Sequence, residues 1–269
     1  MDPTLPAEPL PVPLSGAISP LDSDDVGRTL SGPPSTPGQR RAIAVAELVL
    51  CSSVPTQLLL QAALVAAGLP ARTAAGGLSL PFVVTMTLAD TVLLILLMVV
   101  LTRAHGDSVS ELWLGRRPVV KEALLGLVLV PSIFLLVVLM LTAVRLFAPT
   151  LHNIETNPLE EMASGGLANV MAFAVVGILA GGVREELQRA FMLRRFEQHL
   201  GGARVGVFVL SVAFGLGHFV QGWDAAITTG VLGAVWAVLY LRRRSSLAPV
   251  VSHAGFNSLE VLRIALTGG

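Results

Sequence analysis

Three short stretches of this chain place proton-handling side chains among apolar neighbours. Residues 181–197 read GGVREELQRAFMLRRFE, with Glu185 and Glu186 adjacent and Arg184 and Arg189 on either side. Residues 214–218 read FGLGH and end on His218, and residues 253–257 read HAGFN, pairing His253 with Asn257. Carboxylate and imidazole, partly withdrawn from water, form a water-activating pair, because burial makes a carboxylate a better general base. A second imidazole and an amide can donate hydrogen bonds to a developing oxyanion. The reaction these parts imply is hydrolysis of an acyl bond, with a peptide bond the expected one. Two histidines and a carboxylate are also a known catalytic zinc set, so Glu185, His218 and His253 are equally the candidate ligands of a Zn2+ ion. No HExxH helix is present, which removes the zincin arrangement.

These groups need elements that bring them together, and composition says where those elements lie. The 269 residues are 53% hydrophobic and 13% charged, with mean hydropathy +0.74. A soluble domain carries roughly 25% charged residues, so much of this surface faces lipid. Net charge is zero, which argues against nucleic acid as a partner. The one cysteine, Cys51, excludes an intramolecular disulfide.

Residues 1–40 hold nine of the seventeen prolines and no apolar stretch, and are expected to be a disordered cytoplasmic tail. Residues 41–269 are expected to form one transmembrane helical domain. A span needs about 20 mostly apolar residues. Seven segments qualify, at 42–68, 81–102, 122–147, 166–193, 204–220, 225–241 and 247–266. The fold class is therefore all-α, a polytopic membrane bundle of about seven to eight transmembrane helices. Arginines crowd alternate connections: Arg40 and Arg41, Arg116 and Arg117 with Lys121, Arg194 and Arg195 with Arg204, and Arg242 to Arg244. The positive-inside rule then puts the N-terminus in the cytoplasm of a multi-pass protein, the plasma (inner) membrane being its expected home.

Register places the chemistry at one depth. Glu185 is sixteen residues before Gly201, and His218 sixteen after Gly202, the turn between the fourth and fifth spans. Glu185 and His253 each lie nine residues inward of a basic marker, Arg194 and Arg244. At about 1.5 Å per residue that is about 13 Å, near the middle of an apolar core about 30 Å thick. Asn257 is one turn from His253, and Phe214 is one turn before His218, where its ring can wall the imidazole. Arg189 is four residues from Glu185 and three from Glu186, so it can neutralise either carboxylate and leave the other to work. Asp90 is expected to be structurally paired, and Glu47 to lie near an interface.

The EELQR, FGLGH and HAGFN stretches resemble the three motifs of the CAAX-protease and bacteriocin-processing family of intramembrane proteases, over about residues 120–266. The resemblance implies that Glu185 activates water with His218, that Glu186 and Arg189 support it, and that His253 and Asn257 hold the oxyanion. It implies a membrane-associated peptide or protein substrate, with a prenylated C-terminal peptide, a leader peptide and a membrane-anchored regulator all open, and membrane lipid is a further expected partner. The family pattern has three residues between glutamate pair and arginine. Here there are two, Leu187 and Gln188, with Ala190 in the expected place. Either Arg189 acts from one position earlier, or Glu185 corresponds to the second family glutamate. Two other classes use the same residues: a proton- or cation-coupled transporter, in which Glu185, Asp90 and the histidines relay charge, and an inactive scaffold or immunity protein.

Overall fold

The computed structural model describes residues 36–74, 76–154 and 157–267. The chain separates into the units Met1–Thr36 and Pro37–Gly269, and every described helix belongs to the second. Residues 1–35 of the expected tail lie outside the described residues; residues 37–40 are already helical.

The first expected span is broken into α1 (Pro37–Leu50) and α2 (Val54–Ala66). Pro55 explains the break. It lacks the N–H that would bond to the carbonyl of Cys51, four residues back, and Ser53 turns through the left-handed region with φ 70°. The freed Cys51 carbonyl accepts instead from the Gln188 side-chain amide, far along the chain. The second and third spans are the unbroken helices α3 (Leu80–Ala104) and α5 (Val119–Phe147), joined by a short helix α4 (Val109–Trp113). After α6 (Pro158–Ala163), the fourth span runs as α7 (Leu167–Val176), a π-helical segment (Gly177–Arg184) and α8 (Glu185–His199). One continuous span over 166–193 is the expectation from sequence here. The widened turns fall where Gly177, Gly181 and Gly182 leave little side-chain packing to oppose them, and π turns inside helices recur at functional sites.

The fifth span is α9 (Ala203–Leu216), and it ends two residues before His218. His218 therefore lies in the connection to a 3-10 turn at Phe219–Gln221, not within a helix as expected. α10 (Trp223–Arg243) and α11 (Leu247–Thr267) complete the bundle. Five stretches are long and apolar enough to cross a membrane: Pro37–Ala66, Leu80–Ala104, Val119–Phe147, Leu167–His199 and Trp223–Arg243. With α9 and α11 they account for the seven expected segments. Among the described residues there is no strand, only an isolated bridge between Arg72 and Leu78. The fold is an all-α membrane bundle whose outward faces are apolar, as at Val128 and Phe208, each 71% exposed.

Close approaches of backbone hold the site's helices together. α9 meets α10 at Gly215, where a Cβ would stand 2.5 Å from the Ala226 carbonyl oxygen. α11 meets the π segment at Gly182, where a Cβ would stand 2.5 Å from the Ala254 Cβ. Such small-residue contacts are how membrane helices gain packing area without a hydrophobic driving force. At one end of the bundle α4 is pinned to three neighbours. The Trp113 indole donates to the Leu187 carbonyl at 3.2 Å, Tyr240 donates to the Leu112 carbonyl at 3.1 Å, and the Ser246 N–H donates to the Trp113 carbonyl at 2.7 Å. Arg244 closes α10 in the left-handed region, and Glu197 accepts from both of its terminal nitrogens at 2.7 Å. Those bonds push the guanidinium's pKa above its usual range.

Candidate active site

Glu186 forms a closed cluster. It is 2% exposed, it is paired with Arg189 one turn later, and its Oε1 also accepts from His253 Nδ1 at 2.8 Å. The His253 ring lies flat on Trp236, with centroids 3.7 Å apart and planes 14° from parallel. Trp236 is fixed in turn by donating to Ser252 Oγ at 3.1 Å. The Arg189 guanidinium lies over the Phe214 ring at 4.7 Å and faces Trp236 at 5.7 Å, a favourable placement of a cation on aromatic faces. Arg189 therefore pairs with Glu186, and Glu185 is partnered by another residue, Arg184, whose Nη2 donates to Glu185 Oε1 at 3.0 Å.

Glu185 and His218 face a different space. Both line a cavity of about 570 Å³, with Arg184, Gln188, Arg189 and Phe214 among its other walls. The cavity runs between the broken first span, α8 and α9, since Ser53 and Gln57 line it on one side and Leu210 and Ala213 on another. Glu186, His253 and Asn257 are not among its lining residues. The Phe214 ring bridges the two halves, packing edge-on to His218 at 4.9 Å and perpendicular to His253 at 6.2 Å. His218 Nδ1 lies 2.9 Å from the Phe214 carbonyl. A carbonyl only accepts, so this nitrogen carries the proton, and Nε2 of the neutral ring is an acceptor.

Asn257 is tied to the π segment, its Nδ2 donating to the Gly177 carbonyl at 2.9 Å. An amide has two N–H groups, so one remains. Gly181 lets the amide pack directly on the π segment: a Cβ there would collide with Asn257 Nδ2 and stand 4.0 Å from His253 Nε2. Asn257 Nδ2 and His253 Nε2 of α11 thus both lie near a position one helical turn before Glu185.

Several side chains around the site carry no motif that would single them out. Arg184 bonds to Ser53 Oγ at 2.6 Å and to Asp90 Oδ2 at 3.4 Å, as well as to Glu185. Asp90 is further bound by Thr56 and by Gln57 Nε2 at 3.4 Å. Trp236 has no signal in the sequence beyond being a large aromatic. Pro55 was a readable clue that a carbonyl near Cys51 needs an outside donor, but nothing in the sequence names Gln188 as that donor. Glu47 is 4% exposed and gathers His105, just past the end of α3, at 2.5 Å and Arg195 at 2.6 Å.

The zinc candidates do not form one ligand set. Among the described residues no group of three His, Cys, Asp or Glu side chains is placed to hold a metal ion. His253 directs Nδ1 to Glu186, and Glu185 faces the cavity with His218.

Residues 167–259 match the family model of Rce1-like type II CAAX prenyl endopeptidases. That segment carries all three motifs, from the Glu185–Glu186 pair to Asn257. No curated protein and no solved structure matches the chain. At family level, then, the match supports an intramembrane protease of the CAAX type acting on peptide or protein substrates.

Proposed function

We propose that the protein is an intramembrane endopeptidase in which a water held between Glu185 and His218 attacks the scissile carbonyl. The observation that carries this reading is that a glutamate and a histidine from separate elements line one cavity, with Asn257 and His253 close to Gly181 one helical turn before that glutamate. His218 Nε2 accepts one water proton in a hydrogen bond, and the Glu185 carboxylate takes the other as the oxygen attacks. The tetrahedral oxyanion accepts from the free N–H of Asn257, beside Gly181. His253 Nε2 is a second donor when the ring carries both protons. Protonated Glu185 then delivers its proton to the leaving amine. Glu186 orients His253, and Arg189 holds Glu186 in place.

The substrate class that the family match supports best is a prenylated peptide whose scissile bond enters the cavity from the lipid. The N-terminus faces the cytoplasm in this reading, because the arginine-rich connections alternate. The test uses the full chain in liposomes and a fluorescence-quenched prenylated CAAX peptide. Glu185→Gln and His218→Ala are each expected to abolish cleavage while the helical content and melting midpoint stay near wild type. Normal turnover by either folded variant refutes the mechanism.

A further inference from the structure

We propose that Arg184 is the positioning residue for Glu185, and that the broken first span and α3 hold Arg184 in place through Ser53 and Asp90. The inference rests on the reading of Glu185 as the water-activating base. Its consequence is that the water-activating carboxylate depends on residues outside the matched segment 167–259.

Arg184 is the last residue of the π segment and is 8% exposed. Its guanidinium is a planar fork of five donors, and three acceptors from three elements converge on it. The nearest is Ser53 Oγ at 2.6 Å, then Glu185 Oε1 at 3.0 Å, then Asp90 Oδ2 at 3.4 Å. One cation is therefore shared between two carboxylates, Asp90 and Glu185. Asp90 itself is 1% exposed and cannot swing to meet the arginine, because Thr56 and Gln57 of α2 hold both of its oxygens. Ser53 is presented by the left-handed residue that Pro55 and the break impose. The same break releases the Cys51 carbonyl to Gln188, three residues from Glu185 on α8. Two tethers thus run from one broken helix to the start of α8, on either side of Glu185.

A lysine at 184 would supply the charge from one point and could not span the three acceptors. A purely architectural ion pair would be expected to favour Asp90 as the close partner. Here the ionic contact to Asp90 is the longest of the three, and the cation is drawn toward Glu185.

The test measures kcat and KM separately on the full chain in liposomes with the prenylated CAAX peptide. Arg184→Met combined with Asp90→Asn removes cation and anion together, which avoids stranding a buried charge. A base held about 1 Å out of place loses on the order of 100-fold in rate, so kcat is expected to fall about 10- to 100-fold with KM within about twofold. Arg184→Lys is expected to recover part of that loss. Ser53→Ala, a neutral change that tests the tether if the charge pair proves hard to fold, is expected to lower kcat about 3- to 10-fold. Wild-type kcat in the folded Arg184→Met/Asp90→Asn protein or in Ser53→Ala overturns the proposal, as does a loss confined to KM. A Glu185→Gln protein that is dead while the Arg184 variants run normally overturns the positioning role alone. A Glu185→Gln protein that still cleaves overturns the reading beneath it.

Discussion

Gly181→Ala separates catalysis from stability at a single atom. The added Cβ collides with Asn257 Nδ2 and approaches His253 Nε2 to 4.0 Å, displacing the donor proposed for the oxyanion. The colliding atom is the end of a flexible side chain, so Asn257 can swing away at the expense of its bond to the Gly177 carbonyl. That loss costs about 1 kcal/mol. Replacing glycine by alanine inside a helix returns about 1 kcal/mol. The two nearly cancel, and a net change within about 1 kcal/mol moves the melting midpoint of a chain this size by no more than about 2–4 °C. Loss of an oxyanion donor typically lowers kcat by about 10²- to 10³-fold. Cleavage of the prenylated CAAX peptide in liposomes, followed beside a thermal melt in detergent, reads both quantities. The neighbouring Gly182→Ala is the control. Its Cβ meets Ala254 Cα at 2.9 Å and N at 3.0 Å, backbone atoms that cannot yield, so it is expected to destabilise by about 1–3 kcal/mol. A Gly181→Ala protein with wild-type kcat refutes the placement of the oxyanion.

Trp236→Ala removes the ring on which His253 lies and is expected to cost about 3–5 kcal/mol of stability, with Trp236→Phe retaining much of both stability and activity; equal melting midpoints for Ala and wild type would contradict the packing. The Glu122–Arg243 pair is asymmetric, Glu122 being fully buried while the Arg243 side chain is 30% exposed. Arg243→Ala strands a buried carboxylate and is expected to destabilise the fold, whereas Glu122→Ala leaves an arginine that water can reach and costs less; chemical denaturation in detergent would reveal the reverse order. Because Glu185, His218 and His253 do not form one ligand set, dialysis against a strong chelator is expected to leave the cleavage rate unchanged, and a loss restored by Zn2+ would sink the metal-free mechanism.

The parts legible in advance are those that local chemistry fixes. Lipid-length apolar runs mark the spans, because backbone polar groups in a bilayer must be satisfied within the helix. The seven expected segments fall on the observed helices to within a few residues, apart from the break at Ser53, the longer fourth segment and the early end of α9. The three motifs and the match at 167–259 follow from residue type and order alone. A uniform helical rise could not reveal the π segment, since glycines permit widened turns without demanding them. It also could not divide the carboxylates. Both lie within reach of Arg189 on an ideal helix, and only the packing of α11, which brings His253 to Glu186, and of the broken first span, which brings Ser53 to Arg184, assigns each its partner. Sequence determined that this chain crosses a membrane carrying two glutamates, two histidines and an asparagine. Tertiary structure decided which glutamate is enclosed and which faces a cavity, because that depends on contacts between helices distant in the chain, and no local spacing encodes those.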